Sequence, residues 1–199
     1  MERGDWKAAA ELQVRPSPLA NVQAITYFAR ALGAARSGNP EAAKIDIAKL
    51  VELRDKLRDA KDGYWSEQVD IQRQVATAWV LYAEGKRDDA LNAMSAAADA
   101  EDKTEKHPVT PGVPKPAREL YGVMLLDSGN AKEALTAFEA TFKKEPNRLG
   151  AYVGAAASAE KAGDKAKARE YYEKIVAIAD GADDSRTEVA DARAYLKKL

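Results

Sequence analysis

The sequence predicts an all-α fold: a solenoid of antiparallel helix hairpins with about ten helices. Three observations carry this expectation. Glycines and alanines recur together in a fixed register along most of the chain. No segment alternates apolar and polar residues over a useful length, as a half-buried strand would. Alanine is abundant while aromatic residues make up only 7% of the 199 positions, a composition that favours helices and lets their axes approach closely.

The register is set by Gly4, Gly38, Gly85, Gly129 and Gly163, each followed five residues later by an alanine: Ala9, Ala43, Ala90, Ala134 and Ala168. Seven residues before the last four glycines stands a small residue: Ala31, Ala78, Gly122 and Ala156. The steps between successive glycines are 34, 47, 44 and 34 residues. A glycine closes the first helix of a hairpin, where the left-handed backbone suits a residue without Cβ. The small residues on either side lie where the two helices cross. One hairpin cannot bury its apolar face alone, so hairpins stack.

Taken in order, the helices are expected at about 5–13, 19–37, 40–60, 64–84, 87–101, 116–128, 131–144, 148–162, 165–179 and 185–198. Pro40 after Asn39 suits a first helical turn. Glu145-Pro146-Asn147 ends one helix and leads to the next. Asp180-Gly181 ends the ninth, and Asp184 or Ser185 caps the tenth. The helix from Pro40 reads on through Leu50, Leu53 and Leu57, which accounts for the step of 47. The segment from Lys103 to Lys115 holds Pro108, Pro111, Pro114 and Gly112 and cannot be helical throughout. The organisation is therefore irregular helical repeats over 1–102, a Pro-rich crossover over 103–115, and two hairpins with a C-terminal capping helix over 116–199. The favoured reading is one continuous solenoid with a soft point at the crossover, and two separable lobes are the alternative. In the last helix Val189, Ala192, Tyr195 and Leu196 alternate with charges, as in an amphipathic cap.

The unit Glu119-Leu120-Tyr121-Gly122-Val123-Met124-Leu125-Leu126-Asp127-Ser128-Gly129-Asn130-Ala131-Lys132-Glu133-Ala134, continuing to Phe138 and Pro146, resembles the tetratricopeptide repeat in its bacterial form. Gly122, Gly129, Ala134, Phe138 and Pro146 fall on that family's positions. The next unit keeps Ala156, Gly163, Ala168 and Tyr172 but has Asp180 in place of the proline, and the earlier units keep only the small residues. The resemblance implies a right-handed superhelix and a protein that binds partners without catalysis. It also implies a concave inner face lined from the first helix of each hairpin. Carried over, that face holds Phe28 and Leu32; Gln72, Val75, Trp79 and Tyr82; Glu119, Val123 and Leu126; and Val153, Ala157 and Glu160. The aromatic cluster and its flanks, Phe28, Leu32, Val75, Trp79, Tyr82, Glu119, Val123 and Leu126, are the candidate partner-binding residues. The alternative for Phe28, Trp79 and Tyr82 is core between hairpins. The family's basic and amide clamp for a terminal carboxylate is missing at these positions. Because Gly4-Asp5-Trp6 reads as the start of a second helix without its first, the chain is expected to be the C-terminal part of a longer repeat protein.

Chemistry-bearing constellations are sparse. Lys+Arg is 31 and Asp+Glu is 32, which gives no electrostatic case for nucleic acid. Runs such as Arg54, Lys56 and Arg58, or Lys143-Lys144, are offset by nearby acids. No cysteine is present, so thiolate metal sites and Cys nucleophiles are excluded. His107 is the only histidine and has no companions for a metal site. The carboxylate groups Asp88-Asp89, Asp99-Glu101-Asp102 and Asp183-Asp184 flank helix ends, where the macrodipole and solvent account for them. No apolar run approaches the ~20 residues of a membrane span. The expectation is a soluble, non-enzymatic scaffold without cofactor or metal, binding a protein or peptide partner. A regulatory or assembly arm of a longer multidomain protein is the alternative.

Overall fold

A computed structural model describes residues 1–105, 113–181 and 186–198. Among these residues the chain forms ten α-helices and no strand. They are α1 (Trp6–Ala10), α2 (Ala20–Arg36), α3 (Pro40–Asp59), α4 (Gly63–Ala83), α5 (Arg87–Lys103), α6 (Ala117–Asp127), α7 (Ala131–Lys144), α8 (Leu149–Ala162), α9 (Lys165–Ile178) and α10 (Thr187–Leu196). His107, Asp183 and Asp184 lie outside the described residues.

The glycine register corresponds to one repeated turn. The five glycines Gly4, Gly38, Gly85, Gly129 and Gly163 adopt φ between 67° and 87°. At the last four, the amide of the residue after the glycine reaches back to the preceding helix: Asn39 to the Ala34 carbonyl, Lys86 to Leu81, Asn130 to Leu125 and Asp164 to Ala159, at 2.9–3.0 Å. This closure satisfies carbonyls that the helix end would otherwise leave bare. The residue after the glycine then opens the next helix. The side chains of Asp5, Asn39 and Asp164 accept from the amides of Ala8, Ala42 and Lys167 at 3.0–3.1 Å. The α3–α4 turn has the same closure, Asp62 to Leu57 at 2.9 Å, with Lys61 at φ 59° where the others have glycine.

α1 is shorter than the expected 5–13. It buries only Ala9, and past it the Leu12 carbonyl accepts from Arg30 Nη1 at 2.9 Å instead of from a helical amide. Pro16 then holds its predecessor extended.

The chain divides into two compact units, Met1–Ala117 and Arg118–Leu199. In the first, α1 packs on α2, α2 on α3, α3 on α4 and α4 on α5, and α2 also meets α4. Consecutive helices side by side, with a further contact one helix on, are the packing of a helical repeat. Ion pairs tie neighbours together, among them Arg30 with Asp46 at 3.1 Å between α2 and α3, Arg54 with Asp70 at 2.8 Å between α3 and α4, and Lys44 of α3 with Glu84 at the end of α4 at 2.8 Å. Burial pushes the Asp46 carboxyl upward, and the Arg30 guanidinium opposes that push. In the second unit α7 packs on α8, α8 on α9 and α9 on α10. Phe138 of α7 is fully buried there. Its ring lies where a Cβ on Gly122 of α6 or on Gly154 of α8 would have to sit, at 2.9 and 2.2 Å. Phe142 of α7 stacks on Tyr152 of α8 with centroids 4.2 Å apart, and Tyr171 of α9 meets Phe142 edge-on at 5.6 Å. The Tyr171 hydroxyl donates to Glu139 at 2.6 Å, and burial together with that bond drives its ionisation upward.

The first unit has its own close crossing. A Cβ on Gly33 of α2 would lie 2.4 Å from the Ala10 amide nitrogen and 2.5 Å from the Trp6 carbonyl. α1 therefore rests directly on α2 backbone. Arg36, one turn on, lies between two indoles, 4.4 Å from the Trp6 ring centre and 4.2 Å from that of Trp79. Gly33→Ala is expected to lift α1 from α2, because backbone atoms cannot yield as a flexible side chain can. Thermal melts should show a loss of roughly 1–3 kcal/mol. Trp6 fluorescence should shift toward that of an exposed indole, whereas an unchanged melt and spectrum would refute the contact.

Candidate binding site

A cavity in the first unit lies between the N-terminal halves of α2 and α4. α2 buries Ala20, Ala24, Phe28, Ala31 and Leu32 along one face. Leu19, at its N-cap, and Val22 and Ile25 fall at spacing three on another face and are 58%, 45% and 36% exposed. α4 is started by Asp62, whose side chain accepts from the Trp65 amide at 3.1 Å. Tyr64 and Trp65 meet edge-on with centroids 5.0 Å apart. One turn further in, Gln68 and Gln72 point from successive turns and are 4% and 9% exposed.

These residues enclose a cavity of about 110 Å³ lined by Ile25, Tyr64, Trp65, Gln68, Gln72, Val113 and Pro114. A narrower void of about 10 Å³ continues inward beside Phe28, Ile71 and Val75 and shares both glutamines. The segment that closes the cavity is fixed to α5: the Glu101 carboxylate accepts from the Ala117 amide at 2.8 Å, so Val113 and Pro114 sit on the first unit. The walls of the larger cavity carry no charged side chain, and besides the two amides their polar groups are the Tyr64 hydroxyl and the Trp65 indole N–H, while Glu101 and Lys115 line the inner void. The Gln72 Oε1 has no hydrogen-bond donor and is closed to solvent. A buried carbonyl left in that state costs roughly 1–3 kcal/mol.

The start of α4 is held in place by charge. Asp70 lies between Arg54 of α3 and Arg73 of its own helix, both at 2.8 Å, and Gln74 donates to it at 2.7 Å. Burial pushes its carboxyl up, but the bonds from Arg73, Arg54 and Gln74 outweigh burial and hold it at about 2.

The eight residues expected to face a groove divide sharply by burial. Phe28, Leu32, Val75 and Trp79 are 0–3% exposed. In this chain they are packing residues, because α2 and α4 meet face to face along that line. Trp79 lies against Arg36, and Tyr82 is half-buried, edge-on to Trp79 at 5.4 Å. In the second unit Glu119 is 1% exposed and accepts from Arg148, which ties α6 to the start of α8. Val123 and Leu126 are half-buried. Gln72, carried over to the inner face, is the one such residue that lines the cavity. Ile25, Tyr64, Trp65 and Gln68 were missed. The available signal was an apolar stripe at Leu19, Val22 and Ile25 that the core-facing stripe of α2 does not require.

Among the described residues no group of three or more His, Asp or Glu could hold a metal ion, and no helix is long and apolar enough to cross a membrane. Asp88 and Asp89 sit in the first turn of α5, and Asp99, Glu101 and Asp102 near its end. Compared with known protein families, with curated proteins and with solved structures, the chain matches none.

Asp70→Asn tests the electrostatic tie. An unperturbed aspartate titrates near 3.8, above the folded value of about 2. The stabilisation is therefore complete above pH ~4 and is lost as pH falls through about 2. The variant should be less stable by about 1–2 kcal/mol at pH 7 and equal to the parent near pH 2. Denaturant titrations across pH would show this, and a deficit independent of pH would contradict it.

Proposed function

We propose that this chain is a non-catalytic interaction scaffold of the tetratricopeptide type that holds a peptide segment of a partner protein. The observation that carries the reading is the apolar cavity beside an exposed apolar stripe. In a chain with 32% charged residues, Leu19, Val22 and Ile25 stand out on one surface, next to Trp65 and Tyr64. Contiguous apolar surface around a well-formed pocket marks interaction sites. Aromatic residues at such a place act as anchors. The helical-repeat packing and the glycine register support the class, since stacked hairpins present long faces for recognition and carry no catalytic apparatus of their own. The site proposed is the α2–α4 face of the first unit, in place of the buried line through Phe28, Leu32, Val75 and Trp79.

Selection from a displayed random-peptide library on the full chain tests this. Enriched peptides are expected, and Ile25→Asp and Trp65→Ala should each weaken them by about 2 kcal/mol, with circular dichroism melts confirming that both variants fold. A selection that enriches nothing, or peptides indifferent to both substitutions, would overturn the reading.

A further inference from the structure

Resting on that reading, we infer that the α2–α4 cavity takes an extended main-chain segment of the partner through one aliphatic side chain, with the amides of Gln68 and Gln72 pairing to the backbone at that residue. Three observations lead there. The cavity volume is about 110 Å³, somewhat below the ~150 Å³ apolar cavity that holds a benzene-sized guest. That is room for one branched aliphatic group and not for a second helix. Its walls are the side chains of Ile25, Tyr64, Trp65, Val113 and Pro114, which offer apolar contact and no charge for an ionic group.

The third observation is the amide. Gln72 is 91% buried, lines both the cavity and the inner void, and its Oε1 lacks a donor. A purely apolar guest would leave that oxygen unsatisfied. A guest with an N–H beside its aliphatic group would satisfy it. The terminal torsion of glutamine is soft and two-fold, so the amide turns to meet a donor arriving from the cavity. Gln68, one helical turn earlier, lines the same space, so its amide N–H is placed to donate to the guest carbonyl. An extended peptide offers a free N–H and a free C=O on either side of each side chain. A helix has both already bonded within itself, so the chemistry selects an extended segment.

The probe is N-acetyl-leucine N′-methylamide, and the control is its ester analogue, O-acetyl-leucic acid N-methylamide, which replaces the leucine N–H itself with oxygen. Both are titrated into the full chain, with the side-chain resonances of Gln68, Gln72 and Trp65 followed by NMR. For a guest of this size the dissociation constant should be on the order of 1 mM. The amide should shift all three resonances, and the ester should bind about tenfold more weakly. In Gln72→Leu, which keeps the volume and removes the amide, the two probes should bind alike. Equal binding of amide and ester to the native chain, or no shift at any of the three side chains, overturns the inference. The comparison on the native chain decides the matter even if Gln72→Leu fails to fold. A failure here beside a successful peptide selection removes the main-chain pairing alone, whereas an empty selection removes the scaffold reading itself.

Discussion

Phe138 occupies space that a Cβ would need on two neighbouring helices. Its ring is fully buried between α6 and α8, at the positions of Gly122 and Gly154. Removing such a ring typically costs about 3–5 kcal/mol, and enlarging either wall drives atoms together at well under contact distance. The second unit depends on that notch. With it, α7 lies close enough to α8 for Phe142 to stack on Tyr152, and the aromatic contact passes on to Tyr171 of α9. The first unit solves the same problem at Gly33, where helix backbone lies on helix backbone. Close approach of this kind is why so much of the buried surface is alanine. Ala24, Ala31, Ala43, Ala76, Ala78, Ala90, Ala134, Ala155, Ala156 and Ala168 are all fully buried.

Such packing also decides what is left for function. Where α2 and α4 come together, their large side chains are drawn inside, and Phe28, Leu32, Val75 and Trp79 become core. Toward their N-terminal ends a cavity remains between the two helices, and Leu19, Val22 and Ile25 of α2 and its N-cap are left exposed. The charged ties of Asp70 to Arg54 and Arg73 fix the helix that carries Gln68 and Gln72. The candidate site is thus a by-product of how tightly the rest of the first unit is packed.

The helices were legible in the sequence because local rules set them. Left-handed glycine closes the preceding helix at Gly38, Gly85, Gly129 and Gly163, and at all of these but Gly85 an Asp or Asn follows to open the next helix. The turn between the helices expected at 40–60 and 64–84 stands outside the glycine register, since a lysine, Lys61, takes the left-handed conformation there at φ 59°. The small residues at crossings were only partly legible. Gly122 lies in register, but Gly33 and Gly154 do not, since which residue sits at a crossing depends on interhelical angles that a period of 34 does not encode. The candidate site was the least legible part. Family positions indicated the first helix of each hairpin, and that helix does contribute Ile25, Gln68 and Gln72. Which of its faces is open depends on how neighbouring hairpins stack, and the stacking buries the expected line.

The double-mutant cycle between Phe138→Leu and Gly154→Ala tests the central claim, that missing Cβ atoms set the helix spacing, most directly. Gly154→Ala alone should destabilise the chain by roughly 1–3 kcal/mol. On the Phe138→Leu background, where the ring that fills the notch is gone, most of that loss should disappear, leaving a coupling energy of at least about 1 kcal/mol. Additivity within about 0.5 kcal/mol would mean that the ring and the glycine do not meet, and the notch could not be what sets the spacing of α7 and α8.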